Sequence, residues 1–512
     1  MRRAICFAAA LLWSAFGAAQ SVYFGNLHSH TSYSDGSGTP AEAFAMARSQ
    51  GLDFFAITEH NHRHAEDGAK SRKDGKLIAL QPQLYSGTPS SLVETADRLD
   101  KPGTFVTIYG QEISTISSGN HMNAFQLGQV VDDTAVPNGN VPALLNWIST
   151  HPDSSGRGAL LQFNHPRDPD GNPKDYGHDD NFAPSDWVHS LDPFVELIEV
   201  LNAPALKDGE HFRAEATEGY YLEYLNFGFH LAPSVGHDNH WKNWGKSTDA
   251  RIGVIANHLT RDDIMAALRA RHTTASDDRN LKVIFRSGEA LGGDIVAPPA
   301  PGMSLPLSVE IFDPDEPDAR YRIDVLSDHA GGDRARRPVN SYLINGNTNG
   351  RHLLDGIAFD GPGQFVLLRV TQSSAEQGDE EHQESDDRLW TAPIWYETGV
   401  PPALVGTAVR IADLLPNPPG DDTQNEIVSL LNSGTSPVSL TGWQLRDAAG
   451  NIWVLSGTIA PGQKLPFKRS GQPMSLNNDG DVIDLVNASG LIADSGRYPS
   501  VSEGQVVTLQ SP

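Results

Sequence analysis

Cysteine is almost absent from this chain of 512 residues, since Cys6 is the only one. Cys6 lies in the first 19 residues, which combine two arginines, a mostly apolar run from Ala4 to Phe16, and small residues at Gly17–Ala19. This pattern predicts a secretory signal at residues 1–19. After cleavage the chain has neither disulfides nor thiolate ligands, so any metal would be bound by nitrogen and oxygen donors.

Positive charge is also scarce, with 38 Lys and Arg against 64 Asp and Glu and a formal net charge of -26. This balance repels phosphate backbones and anionic lipid, and so argues against a protein that wraps nucleic acid or binds a membrane surface. Beyond the first 19 residues no apolar run approaches the roughly 20 residues of a membrane span. We expect a protein that is secreted, periplasmic or held at the cell surface, without a membrane span after signal cleavage.

Histidine, by contrast, is placed at the ends of apolar runs. The first run ends in His28 and His30, whose side chains share one face because alternate residues of a strand point the same way. Asp35 follows on a loop rich in Ser and Gly. A second run, Leu52–Thr58, leads to His60. Ligands at the carboxyl ends of successive strands are typical of α/β proteins.

A helix is predicted between these two runs. Thr39 and Glu42 form the pattern of a capping box, Pro40 suits the first helical position, and Gly51 marks the end. The order is therefore strand, helix, strand.

The same pattern continues along the chain. Further apolar runs with a His or carboxylate occur at Phe105–Tyr109 before Glu112, at His121, at Leu160–Phe163 before His165, at Phe194–Val200 with Glu196 and Glu199, and at Leu231–Val235 before Asp238 and His240. Helical patterns at Pro142–Thr150 and Arg261–Arg271 indicate βα units. The long insertion Arg63–Gly103 has the length of a lid or binding loop.

The remaining chain has a different character. Residues 280–400 contain short apolar runs separated by turn residues, which predict a β-sandwich. A Val-Pro-Pro break at 400–402 precedes a third block, 405–512, where Gly and Pro punctuate short strands and predict a second, immunoglobulin-like sandwich. The domains expected are thus an α/β domain at 20–279 and two β-sandwiches, and neither sandwich contains candidate ligands.

Nine side chains form the candidate metal site: His28, His30, Asp35, His60, Glu112, His121, His165, Asp238 and His240. A structural zinc needs four ligands, so nine donors are enough for two or three metals with open positions for water and substrate. A carboxylate that bridges two metals helps to activate a shared water. Hydrolysis is the expected reaction, because the sequence contains no redox cofactor motif, Walker-type loop or GxSxG elbow.

These motifs resemble the polymerase and histidinol phosphatase (PHP) superfamily. The likeness rests on HxHxxxSDG at 28–36, TEH at 58–60, Glu112, NHP at 164–166 and DxH at 238–240, and it covers roughly Val22–Ser276. It implies a distorted (β/α)7 barrel with a trinuclear site that hydrolyses phosphoesters. From the nitrogen and oxygen donors we expect two to three divalent ions of Zn, Mn or Fe.

The resemblance also implies a distribution of ligands. The first metal would be held by His28, His30, Glu112 and Asp238, the second by Glu112, His121 and His165, and the third by Asp35, His60 and His240. Glu112, Asp238 and His240 are the expected catalytic residues. Two positions depart from the family: Glu59 replaces the usual Asp and is expected to orient His60, and His237 is an additional imidazole without an assigned role.

Other readings of the site remain. The GHDNHWKNWG segment resembles a secreted branch that includes carbamate- and amide-cleaving enzymes, so the substrate is a small phosphoester or a carbamate, ester or amide. A surface-binding protein that has lost catalysis is the third alternative. The third block resembles the lamin-tail domain, which implies an attachment module for the cell surface or the extracellular space, with Trp443 in its core.

Overall fold

The fold is that of a computed structural model, which describes residues 20–508 with internal gaps. These gaps are 64–74, 115–120, 138–139, 152–158, 167–187, 205–210, 317–318, 333–336, 346–348, 374–385, 398–408, 433–436, 448–450, 479 and 488–491. The predicted signal at 1–19 and the Val-Pro-Pro break lie outside the described residues. Within these residues, no helix is long and apolar enough to cross a membrane.

The described residues contain eight helices. They are α1 Pro40–Ser49, α2 Pro82–Tyr85, α3 Leu92–Leu99, α4 Val141–Thr150, α5 Val188–Leu191, α6 Glu218–Phe227, α7 Arg261–Arg269 and α8 Asp422–Asn425. Helix α1 has the predicted capping box, with Thr39 as N-cap and Glu42 bonded back to it. Gly51 adopts a positive φ of 83° just beyond the helix, a conformation that favours glycine.

Ten strands belong to the first block. They are β1 Ser21–Asn26, β2 Phe54–His60, β3 Val106–Ile113, β4 Met122–Phe125, β5 Leu160–Phe163, β6 Val195–Asn202, β7 Glu215–Ala216, β8 Ala232–Gly236, β9 Arg251–Ala256 and β10 Thr273–Ser276. Strands β2, β3, β5 and β6 are buried throughout, as expected for strands that are covered on both faces.

Seven of these strands follow one another around the site. The pairing order is β1-β2-β3-β4-β5-β6-β8, in which β4 runs antiparallel to both of its neighbours. Beyond their ends a single parallel bridge joins Ser29 to Asn239. The mixed α/β class that the sequence predicts is confirmed, but the strand pairing of the described residues does not form a closed barrel.

The second block continues the same sheet. Its strands are β11 Lys282–Ser287, β12 Ala290–Leu291, β13 Ile295–Val296, β14 Ser304–Phe312, β15 Arg320–His329, β16 Asn340–Asn345, β17 Gly350–Ala358, β18 Gln364–Ser373, β19 Asp387–Thr391 and β20 Ile394–Tyr396. Strand β10 pairs with β19, and β19 with β18. A second sheet, β12-β11-β14-β17, shares a core with it. The sheet runs across residue 280, because β10 pairs with β19, so strand pairing does not mark a domain boundary there. The boundary near residue 280 stays a prediction.

Phe365 and Trp390 of the second block pack into the core of the first block. The two blocks therefore share apolar packing as well as strand pairing. The insertion 63–103 also packs inward, because Tyr85 and Leu92 belong to a core cluster with Phe44 of α1. This packing makes the described part of the insertion a component of the core, in contrast to the lid that its length suggests.

The third block has a core of its own. Its strands are β21 Val409–Leu415, β22 Ile427–Asn432, β23 Val438–Ser439, β24 Gln444–Asp447, β25 Ile452–Val454, β26 Thr458–Ile459, β27 Lys464–Lys468, β28 Gly480–Val486, β29 Ile492–Pro499 and β30 Val507–Thr508. They form sheets β27-β22-β21-β30 and β25-β24-β28-β29 and the pair β23-β26. Trp443 lies in this core, as the sequence predicts.

Candidate metal centre

The nine predicted ligands lie together at one end of the seven strands. His28 and His30 follow β1, and His60 ends β2. His121 precedes β4, but β4 is antiparallel to β3, so its beginning lies at the same end. Because β4 runs in the opposite direction to β3, His121 at the start of β4 lies close to the histidines that follow β1 and β5 and to His60 at the end of β2.

Glu112 of β3 occupies the middle of this group, and its side chain is 1% exposed. Its two oxygens lie between 2.9 and 3.3 Å from ring nitrogens of five imidazoles, those of His28, His30, His60, His121 and His165. Asn164 donates a further hydrogen bond to Oε1 over 3.0 Å. A single carboxylate therefore connects five imidazoles from four strand ends, since His28 and His30 both follow β1.

The donors fall into three overlapping groups, and within each group the ligand atoms all lie within 4.8 Å of one another. The groups are His28, His30, Glu112 and Asp238; Glu112, His121 and His165; and His30, Asp35, His60 and His240. Glu112 is shared by the first two groups. The division corresponds to the distribution that the resemblance implies, with the difference that His30 belongs to two groups.

Several atoms in the centre have no partner that satisfies them. The Nε2 atoms of His28 and His30 lie 3.2 Å apart. His30 Nδ1 is buried and makes no hydrogen bond, and Glu112 Oε2, although only 2.9 Å from His60 Nδ1, has no well-aligned donor. Buried polar atoms are rarely left unsatisfied, and a cation between nitrogen and carboxylate donors resolves such crowding. The side chains present therefore fit divalent metals of the Zn, Mn or Fe type.

The carboxylates of the centre are held ionised. Burial raises the pKa of Glu112, but the imidazoles of His28, His121 and His60 outweigh burial and hold the pKa well below its ordinary range. The pKa of Asp238 is likewise lowered, chiefly by His28 against burial. Burial lowers the pKa of His60, yet Asp35 and Glu112 raise it to about 9. Buried charges of this kind need compensating charge close by.

Two ligands have strained backbones. Asp238 and His165 adopt positive φ values of 43° and 27°, which non-glycine residues adopt only when their surroundings impose it. The amide of Asp238 donates to the carbonyl of His28 over 3.0 Å. The amide of His165 donates to Glu199 Oε2 over 2.6 Å. These hydrogen bonds hold both side chains toward the centre.

Glu199 of β6 is a supporting residue that the sequence reasoning did not place in the site. It is fully buried, and His28 Nδ1 donates to its Oε1 over 2.7 Å. This bond fixes the ring so that Nε2 points into the centre. Asn202 donates to Glu199 Oε2 over 2.8 Å. The available signal was the presence of two carboxylates, Glu196 and Glu199, in the otherwise apolar run Phe194–Val200.

Glu59 does not take the role that the sequence suggested. Glu59 and His60 are adjacent in β2, so their side chains point to opposite faces. Glu59 accepts hydrogen bonds from the hydroxyls of Thr31 and Ser34, and burial raises its pKa to about 7. It therefore shapes the loop that leads to Asp35. His60 instead contacts Ser114, whose Oγ lies 2.7 Å from Nδ1.

His237, the additional imidazole, lies outside the three donor groups. It is fully buried, and its Nε2 donates to the carbonyl of Ala250 over 2.9 Å. Its amide donates to Asn26 Oδ1 over 2.8 Å. Burial and the nearby Arg251 lower its pKa to about 3. His237 is thus a neutral core residue that ties the end of β8 to its neighbours.

Comparison with known families identifies the third block. Residues 403–500 match the family model described as Lamin Tail Domain. The resemblance of the third block to the lamin-tail domain is therefore confirmed for residues 403–500. No curated protein has a sequence that matches this chain.

Three solved bacterial structures are similar to parts of the chain. One is a two-domain protein from Bacteroides vulgatus that contains a predicted PHP-like metal-dependent phosphoesterase; it is 16% identical with a TM-score of 0.37, and the match covers 69% of this chain and 90% of that one. A second, from Bifidobacterium adolescentis, is inferred to be a metal-dependent phosphoesterase, with 16% identity, TM-score 0.24 and coverage of 48% and 96%. The third is an amidohydrolase from Chromobacterium violaceum, with 12% identity, TM-score 0.22 and coverage of 42% and 87%. At such scores these likenesses carry no information on the reaction, which has to come from the side chains of the site.

The substitution Glu199→Gln tests whether the hydrogen bond to His28 supports metal binding. The change keeps size but removes the charge that holds the ring, so we expect metal affinity to fall about 10- to 100-fold. Competition with a chromophoric chelator measures this affinity.

Glu196→Gln on the same strand is the matched control. Glu196 belongs to none of the donor groups of the centre, and burial raises its pKa to about 8, so the substitution should leave metal affinity close to that of the wild type. Equal metal affinities in the two variants would show that Glu199 has no positioning role.

Proposed function

We propose that this protein is a metal-dependent hydrolase of the phosphoesterase class. The observation that carries the proposal is the position of Glu112, one buried carboxylate shared between two groups of imidazole donors. Shared carboxylates of this kind belong to hydrolytic centres with two or more metals. The frame we propose for this centre is a distorted seven-stranded barrel, which the bridge between Ser29 and Asn239 supports.

The ligand groups would hold two or three divalent ions, either Zn, Mn or Fe. When bound, these ions supply Lewis-acid chemistry, which lowers the pKa of water and offsets negative charge on a substrate. Glu112 would be shared between two of the ions, since its Oε1 faces His28, His121 and His165 and its Oε2 faces His30 and His60. His28 and His30 enter with their Nε2 atoms, and Glu199 keeps His28 in the required orientation.

Asp238 and His240 belong to the partly exposed side chains of the centre, at 17% and 15% exposure, as do His121 and His165 at 18% and 15%. Asp238 Oδ1 is 3.3 Å from His30 Nε2, and His240 Nε2 is 3.1 Å from Asp35 Oδ1. Water and substrate would reach the centre past the partly exposed side chains. We assign Asp238 and His240 to orienting them, with Glu112 deeper in the centre.

A phosphoester is the favoured substrate because metals would supply the positive charge that an acidic chain otherwise lacks. The same site suits a carbamate, ester or amide, whose carbonyl oxygen it would polarise. A binding protein without catalysis is the remaining alternative, and the complete set of nine donors argues against it.

A panel of phosphomonoesters, phosphodiesters, carbamates and amides, tested with the metal-loaded protein, separates these functions. Turnover of phosphoesters alone is expected; turnover of carbamates or amides alone would assign the alternative, and no turnover at all would contradict the proposal.

Glu112→Gln is expected to be highly damaging. The substitution preserves size but removes the negative charge that two metal positions share, so metal occupancy and kcat should fall together. We expect a loss in kcat of about 10³-fold or more, equivalent to roughly 4 kcal/mol of transition-state stabilisation. Steady-state kinetics and elemental analysis of the purified variant measure both quantities.

Glu59→Gln is the control for this experiment, because Glu59 is equally buried but bonds to Thr31 and Ser34 on the other face of β2. Its effect on kcat should be far smaller. Should Glu112→Gln retain metal and turnover while Glu59→Gln loses them, the bridging role belongs to another residue.

The signal pattern at residues 1–19 and the lamin tail domain at 403–500 support export to the periplasm, the medium or the cell surface. We propose that the lamin tail domain attaches the enzyme there and takes no part in turnover. Its core contains residues between Val409 and Val507 and none from the first block. Protein shortened after residue 402 should keep its kcat on a small substrate. A folded truncation that loses most of its kcat would contradict this separation.

Mass spectrometry of exported protein tests the signal, and we expect the mature chain to begin near Gln20.

A further inference from the structure

A second group of metal-ligating side chains lies outside the centre, where three chain segments of the first two blocks meet. Asp278 follows β10, Glu316 lies between β14 and β15, and Asp387 begins β19. One oxygen from each of these carboxylates lies within 4.8 Å of the other two. The group contains carboxylates only, in contrast to the imidazole-rich centre.

Two buried oxygens beside this group lack partners. Asp313 is fully buried, and its Oδ1 accepts no hydrogen bond. Gln372 is 4% exposed, and its Oε1 is also without a donor. The Nε2 of Gln372 donates to Asp313 Oδ2 over 2.9 Å and to Glu316. Gln372 also stands opposite Asp387 in the pairing of β18 with β19. Gln372 thus contacts the acidic group directly through Glu316, and Asp313 lies beside the group through its bond to Gln372 and its charge effect on Glu316.

Two arginines beside the group donate to a neighbouring carboxylate, that of Asp277. Arg388 and Arg213 donate to Asp277 Oδ2 over 2.7 and 3.2 Å. Burial and the charges of Asp277 and Asp278 raise the pKa of Asp387 to about 6, against the effect of Arg213. Burial and the neighbouring Asp313 and Asp278 likewise raise the pKa of Glu316. These carboxylates repel one another when they are ionised, and a bound cation would reduce that repulsion.

The position of Asp278 is fixed independently of its carboxylate neighbours. Its Oδ1 accepts the backbone amides of Asn280 and Leu281, each over 2.6 Å. Asp278 and Asp387 are partly exposed and Glu316 is exposed, so solvent ions can reach the group. Asp278 is thus held in place by backbone amides, while Glu316 and Asp387 add solvent-accessible carboxylates from two other segments.

We propose that Asp278, Glu316 and Asp387, with Asp313 and Gln372 beside them, form a binding site for one calcium ion. Calcium prefers oxygen ligands and tolerates irregular geometry, whereas Zn and similar ions prefer the nitrogen-rich centre. Because the ligands come from the end of β10, from the β14–β15 connection and from the β18–β19 pair, the ion would fasten the second block to the first. Its role is structural and separate from hydrolysis.

Calcium chloride titrated into the full-length protein, with the imidazole centre already loaded with zinc or manganese, tests the site. Calorimetry should give about one equivalent of bound calcium, and saturating calcium should raise Tm by about 5 °C. Absence of both binding heat and a Tm shift would overturn the proposal.

Asp387→Asn and Glu316→Gln should each weaken calcium binding about 10-fold or more. Each substitution relieves repulsion among like charges, so the variants should fold without calcium. Glu289→Gln, an exposed acid on the β11–β12 turn, is the control and should bind calcium as the wild type does. The calcium response should also persist in Glu112→Gln, which separates this site from the hydrolytic centre. Wild-type calcium affinity in both Asp387→Asn and Glu316→Gln would place the ion elsewhere and contradict the assignment.

Discussion

The contact between the buried carboxylate of Glu112 and five imidazole rings is the interaction on which the rest of the site depends. Burying an ionised carboxylate is costly unless charge of opposite sign or hydrogen bonds surround it. The strand ends bring the rings to it, and the antiparallel β4 brings His121 from the start of a strand. Strained backbones at His165 and Asp238 complete the arrangement. The fold therefore concentrates donors that repel or crowd one another unless metals bind between them.

The sequence predicts much of this arrangement. Apolar runs that end in His or carboxylate identify the strands and the ligands, because alternation within a strand and the position of the chain turn are local properties. The capping box at Thr39 is likewise local, and helix α1 follows it. The grouping of donors in space agrees with the expected distribution, and only the double membership of His30 differs.

What the sequence does not predict depends on contacts between distant segments. Glu199 supports His28 from 171 positions away, and no local pattern connects the two. Period-two alternation in β2 already places Glu59 on the face opposite to His60, so the role first expected for Glu59 conflicts with a rule that the sequence itself supplies. The oxygens around Asp278 and Asp387 come together only because β10 pairs with β19. A sequence analysis that treats the two blocks as separate domains does not predict the pairing of β10 with β19.

If Glu112 is shared by two metals in one centre, X-ray absorption spectroscopy combined with elemental analysis of the native protein will detect both ions. We expect two to three equivalents of Zn, Mn or Fe per chain, nitrogen and oxygen donors only, and a metal-to-metal separation of about 3.5–4 Å. One equivalent or none, or metals without a neighbour at that separation, would contradict the shared role of Glu112.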